Sequence, residues 1–128
     1  MRALFIISDL DLGGAQKQVI ELGRQLTRRG NAVAVYTLND CVPRAKDLDG
    51  SGVELVVDQK KSKVDRHVLG RLRRFIRAWH PDIVHGFLFD GDIYARIAAA
   101  GTGIPVLNSE RSSTNSIAMA DTSVNAAR

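Results

Sequence analysis

Short apolar runs rich in β-branched residues alternate along this chain with segments whose apolar residues recur every three or four positions. Few folds accommodate that alternation. Each apolar run reads as a buried strand and each periodic segment as an amphipathic helix, and strand–helix–strand units in series close into a parallel sheet. Residues 2–8 form the first run. Beyond the 9–14 loop, Ala15, Val19, Leu22 and Leu26 share one helical face. Arg28 and Arg29 suit the negative end of that helix, and Gly30 suits the left-handed closing position. A second strand covers 32–38. Pro43 and Gly50-Ser51-Gly52 mark 39–52 as a loop with room for one short helix, before a third strand at 53–57.

From Val64 onward, Val68, Leu72, Phe75, Ile76 and Trp79 form an apolar stripe, with Arg66, Arg73, Arg74 and Arg77 on the opposite side. His80-Pro81 ends this helix. A fourth strand at 82–86, a helix over 91–100 closed near 101–103, and a fifth strand at 105–108 complete the pattern. The expectation is an α/β chain with a doubly wound, mainly parallel, Rossmann-like sheet of five strands, one domain covering 1–111. Residues 112–128 show no periodicity beyond Ile117, Ala118 and Met119, and their small polar composition reads as a mobile tail. Its abrupt end reads as that of a piece of something longer.

The length of 128 residues suits one domain, and 45% hydrophobic with 25% charged residues is the balance of a folded soluble protein. The N-terminal apolar run meets Ser8 and Asp9, far short of the roughly 20 residues that span a bilayer, and no signal-peptide cleavage site follows it. Cys41 is the only cysteine, and no Cys/His cluster has metal-ligand spacing. No metal is expected, and a cytoplasmic location fits. The net charge of +4 is unevenly placed: residues 60–77 hold eight basic groups against Asp65, while the rest of the chain is slightly acidic. A polyanion would therefore meet one face. Nucleic acid is disfavoured, because no exposed aromatics interleave with the arginines and no known module is present.

Ligands of open parallel sheets sit beyond the carboxyl ends of the strands. Here those positions are 8–14, Asn39, Asp58, 85–92 and 108–112. Gly13-Gly14 opens the first helix, where free amides and the positive dipole end favour an anion, and glycine allows close approach. A tight strand-to-helix turn is the alternative. The dinucleotide fingerprint is broken by Ala15-Gln16-Lys17, and no P-loop occurs. Asp9, Asp11 and Asp58 allow an acidic magnesium pocket of phosphoacceptor type, but the hydroxyl and lysine such a pocket needs after the fourth and fifth strands are missing.

Three segments, Leu12-Gly13-Gly14-Ala15-Gln16, Pro81-Asp82-Ile83-Val84-His85 and Pro105-Val106-Leu107-Asn108-Ser109-Glu110-Arg111-Ser112, resemble in order and spacing the retaining, GT-B-fold glycosyltransferases of family 4. The resemblance runs to about Ser112. It implies transfer of a sugar from a nucleotide-sugar, a co-substrate and not a cofactor, to a glycan or lipid-linked acceptor. The transfer takes place in a cleft between this domain and a second, C-terminal one. Gly13 and Gly14 would lie against the donor diphosphate, and His85 would be the catalytic-site residue beside the sugar. Asp11, Asp90, Glu110 and Arg111 would stand on the acceptor side. Phe87 departs from the second histidine of many relatives, and Asp90 and Asp92 replace their usual neighbours, so acceptor contacts should differ. Without a second domain to hold the donor, an isolated copy should be nearly inactive.

Arg66, Arg73, Arg74 and Arg77 form either a solvated face or, with lipid-linked acceptors in view, a surface that docks peripherally on an anionic inner leaflet. The competing functional class is a non-catalytic Rossmann-like module for phosphate, nucleotide or protein. If a second domain packs on the carboxyl edge, exposed apolar residues should border Gly13 and His85.

Overall fold

The computed structural model describes residues 1–109. Five strands, β1 (Arg2–Ile7), β2 (Ala32–Thr37), β3 (Glu54–Val57), β4 (Ile83–Phe87) and β5 (Val106–Ser109), form one parallel sheet in the order β3-β2-β1-β4-β5. The order reverses between β1 and β4, which opens a crevice there. The doubly wound expectation holds. Helix α1 (Gly14–Arg28) and a 3-10 turn at Ala45–Leu48 cover one face, and α2 (Arg66–Trp79) and α3 (Leu88–Ala99) cover the other.

Period-two alternation sorts the strand residues between two cores. Phe5, Ile7, Val33, Val35, Ile83 and Phe87 pack towards α1, and Leu4, Ile6, Tyr36 and Val84 pack towards α2 and α3. Gly30 closes α1 with φ 89, as its position implied.

Several boundaries differ from the sequence reading. Val64 is exposed and lies outside α2, because the Asp65 carboxylate caps the helix by accepting from the His67 and Val68 amides. Such a cap contributes about 1 kcal/mol. The fourth strand ends at Phe87, one residue later than expected, and α3 begins at once at Leu88 and not at 91, so Asp90 lies in helix and not in a connecting loop. Leu88, at φ 65, makes the whole turn. This direct entry requires Gly86 and Gly91. A Cβ at Gly86 would lie 2.6 Å from the Asp92 Cα, and one at Gly91 would collide with the Ile6 carbonyl. The third strand starts at Glu54 and the fifth at Val106, one residue later than expected.

Candidate functional site

The turn that opens α1 is built from residues 9–16. Gln16, almost fully buried, donates from Nε2 to Asp9 Oδ1 at 2.9 Å, and the same oxygen accepts the Asp11 amide at 3.0 Å. Gly13 rests against the Gln16 carboxamide with φ 155 and ψ 160, a region open essentially to glycine alone. Any side chain there would strike Gln16 Oε1. No side chain caps α1 and its first turn holds no acid, so its leading amides point into the crevice unshielded.

Asp11 turns away from these amides. Its carboxylate accepts the Leu12 amide at 2.7 Å and the Cys41 thiol at 3.2 Å. Those two bonds, with the charge of Arg44, hold its pKa below the ordinary carboxylate value despite some desolvation. The Cys41 thiol is pushed up, chiefly by its bond to Asp11. Backbone bonds from Leu10 to Cys41 and from Arg44 to Leu10, both 3.0 Å, lock the loops after β1 and β2 together. The glycine turn therefore has a firm support.

His85 lies inside β4, opposite Phe5 of β1, and is 5% exposed. Its ring stacks on Phe87 at 4.0 Å between centroids and meets Phe5 edge-on at 5.8 Å. Burial lowers its pKa to about 4, so the ring is neutral at pH 7. Its Nε2 is sealed from solvent and has no hydrogen-bond partner among the described residues. Thr37 Oγ1 on β2 and Asn108 Oδ1 on β5 are in the same condition. Thr37 and Asn108 belong to the carboxyl halves of their strands, and His85 is the middle residue of β4.

Asp90 occupies the first turn of α3 and pairs with Lys60 at 3.0 Å, both largely shielded. Asp92 accepts from Arg96 at 3.0 Å and from Asn108 Nδ2 at 3.2 Å. Glu110, Arg111 and the 112–128 tail lie outside the described residues. Gly13, Gly14 and Asp11 thus share one loop, His85 lies in the neighbouring strand, and Asp90 begins the helix after it. No contact joins these three groups directly.

Asp58 does not join Asp9 and Asp11, since β2 separates its strand from theirs. Arg71 grips it from Nε and Nη2 at 2.8 to 3.1 Å, and the Tyr36 hydroxyl donates to it at 2.5 Å. Burial alone would raise the Asp58 pKa, but bonds from Arg71, Tyr36 and the Gln59 amide outweigh it and hold the group below its usual range. Among the described residues no group of acids, histidines or cysteines has a metal-binding arrangement. Sequence reasoning counted Arg71 with the basic surface, and only the pairing of β2 with β3 reveals its partner. Arg66, Arg74 and Arg77 remain exposed on α2, with Arg73 half-buried. No helix among the described residues is long and apolar enough to cross a membrane.

Leu12, Val57, Val64 and Phe89 are exposed apolar side chains at this same carboxyl edge. A family model, Glycosyltransferase Family 4, matches residues 12–114, most of the chain, beginning just before the Gly13-Gly14 turn. The chain belongs to glycosyltransferase family 4. This family 4 domain has the fold of one part of several solved glycosyltransferases. A glycosyltransferase from Rickettsia africae superposes with a TM-score of 0.67 at 17% identity, over 84% of this chain and 29% of that one. MurG of Acinetobacter baumannii superposes at 0.60 with 16% identity, over 85% and 34%. The calicheamicin glycosyltransferase CalG4 superposes at 0.56 with 20% identity, over 99% and 37%. The chain spans about a third of the length of these structures. No curated protein sequence matches it.

Proposed function

We propose that this family 4 domain forms the acceptor-side wall of a sugar-transfer cleft, using a nucleotide-sugar donor and a glycan or lipid-linked acceptor, with a second Rossmann-like domain completing the donor site. The observation that carries the reading is the uncapped start of α1 behind Gly13, at the crevice between β1 and β4. Amides fixed there neutralise charge that builds on a departing diphosphate, without reorganising as the bond breaks. Leu12, Val57, Val64 and Phe89 offer apolar surface for the second domain. Asp11 beside the turn, Asp90 at the start of α3 and Glu110 serve as acceptors for hydroxyl groups of the acceptor, and Arg111 serves as a donor to it. The family implies retention of anomeric configuration, and no residue is assigned here as a nucleophile.

His85 enters this reading as a neutral imidazole under the sugar, whose Nε2 bonds the substrate once the stacked Phe87 ring turns aside. Its sealing between Phe5 and Phe87 favours a second reading, in which it only fills the core. The arginines Arg66, Arg73, Arg74 and Arg77 are proposed to face an anionic leaflet carrying the acceptor.

The test is a titration of the 128-residue chain with pyrophosphate, followed by amide NMR. Saturable shifts at Gly13 to Lys17, removed by Gly13→Val in a chain that still folds, are expected. Shifts elsewhere only, or none, would overturn the diphosphate role, and sugar transfer by the chain alone would overturn the need for a second domain.

A further inference from the structure

The opposite end of the sheet carries a second concave surface. A cleft of about 310 Å³ opens where the last turns of α2 meet the loop between α3 and β5. Arg73, Arg77 and His80 form one wall over a floor of Ile76 and Ile104, and the Gly101-Thr102 backbone forms the other. Arg73 and Arg77 stand one helical turn apart, so their side chains emerge on the same side. His80 follows in the left-handed closing position of the helix, with φ 54.

These three line one cleft together, and none of them is held by an acid among the described residues. Arg71 is held by Asp58, Arg96 by Asp92, and Arg2 by the Trp79 carbonyl. Arg73, Arg77 and His80 have no hydrogen-bond or ion-pair partner among the described residues, and no acid lines the cleft. The nearest acid in sequence, Asp82, accepts the Arg2 amide at 2.7 Å. Gly101, which lines the cleft, and Gly103 of the same loop adopt φ 80 and 77 with open space where a Cβ would stand. Their amides find no acceptor among the described residues.

The ends of α2 and α3 point carbonyls towards this edge, which disfavours an anion. Most of that opposition is already met. The His80 amide takes the Ile76 carbonyl at 3.0 Å, and the Ala100 and Thr102 amides take those of Ile97 and Ala99 at 3.3 and 3.1 Å. The Thr102 hydroxyl also donates to Ala99. Two free guanidinium forks, an imidazole and the Gly101 amide remain, a donor set suited to a tetrahedral, multiply charged anion.

We propose that this cleft binds a phosphomonoester, either a soluble phosphate ester or the headgroup of a phosphate-bearing lipid. The cleft sits at the amino edge of the sheet, so its occupant would not compete with a donor at the Gly13 turn. Its volume, at the small end of ligand sites, admits the phosphate and a short substituent.

The experiment uses the 128-residue chain and amide NMR, with inorganic phosphate, glycerol 3-phosphate and vesicles of phosphatidic acid in phosphatidylcholine as probes. Saturable shifts at His80 and Gly101 to Ile104 at millimolar phosphate or glycerol 3-phosphate support a soluble ligand. Binding to phosphatidic acid vesicles alone supports the lipid. In either case Arg73→Gln with Arg77→Gln should weaken binding about tenfold or more, since each removes a charge-assisted donor. With inorganic phosphate or glycerol 3-phosphate as the probe, Arg66→Gln with Arg74→Gln, outside the cleft, should change it less than about twofold. Thermal melts confirm that both pairs fold. The proposal is overturned if neither probe class perturbs these amides, or if the Arg73 and Arg77 substitutions leave the response intact.

Discussion

Two corners of the same sheet edge treat their polar groups in opposite ways. At the outer corner, where β2, β3 and α2 meet, every oxygen of Asp58 is engaged, Tyr36 and Arg71 are its donors, and Asp65 caps the next helix. In the central crevice, α1 starts uncapped and His85 Nε2 is buried without a partner. The outer corner holds Asp58, one of the three acids weighed in the sequence for a magnesium pocket, and uses it to hold the fold together. The crevice has few charges but keeps hydrogen-bonding capacity unfilled. Unfilled capacity at the switch point of a parallel sheet is what a ligand site requires.

Breaking the outer corner should give the largest effect on stability. Asp58→Ala leaves the Tyr36 hydroxyl buried without its acceptor and removes the charged bonds from the half-exposed Arg71, and should cost about 2 to 4 kcal/mol in urea unfolding. Pyrophosphate shifts at Gly13 to Lys17 should survive in the folded fraction. If Asp58→Ala abolished those shifts while the chain remained folded, the division between a structural corner and a ligand-binding crevice would be wrong.

The crevice has a pH signature of its own. His85 is neutral when folded, with a pKa near 4 against the ordinary 6.5. Between those values the unfolded chain binds a proton that the folded chain refuses, so stability falls as pH drops from about 6.5 to about 4 and this contribution levels off below. The depression corresponds to about 3 kcal/mol. Asp58, depressed for the opposite reason, loses its contribution only below the ordinary carboxylate range. Unfolding free energies measured across this range should therefore show two separate declines, and His85→Leu should remove the upper one. A His85→Leu profile with the same upper decline would assign it to another group.

Sequence periodicity sufficed for the five strands, the three helices and the parallel, doubly wound class, because the central strands are buried on both faces and each helix on one. It placed the start of α3 at 91, three residues late, since the entry into the helix straight from β4 depends on α3 pressing its backbone onto Gly86. The Gly13-Gly14 turn was legible because glycine pairs before a helix have a local cause. The sealing of His85 was not, because it depends on Phe5 from a strand nearly eighty residues away. Arg71 was misgrouped for the same reason: its acid lies across the sheet edge, thirteen residues before it.

A smaller effect should follow from the turn itself. Gly13→Ala forces an L-residue into a glycine region and against Gln16, at about 1 to 3 kcal/mol. Gln16→Ala removes the collision but also the brace on Asp9. The double variant should therefore recover part of the stability lost in Gly13→Ala while leaving pyrophosphate binding impaired. Full recovery of both would make the turn a passive connection.

The smallest expected change separates the two uses of α2. Arg66 and Arg74 are exposed and take no part in any ion pair among the described residues, so Arg66→Gln with Arg74→Gln should shift stability by less than about 0.5 kcal/mol. If the arginine face docks on an anionic leaflet as a whole, this pair should still weaken binding to phosphatidylserine vesicles, each charge contributing about 1 kcal/mol near the surface. Vesicle binding that depends on Arg73 and Arg77 but ignores Arg66 and Arg74 would assign the attraction to the cleft. Binding that ignores all four would leave them as a solvated face.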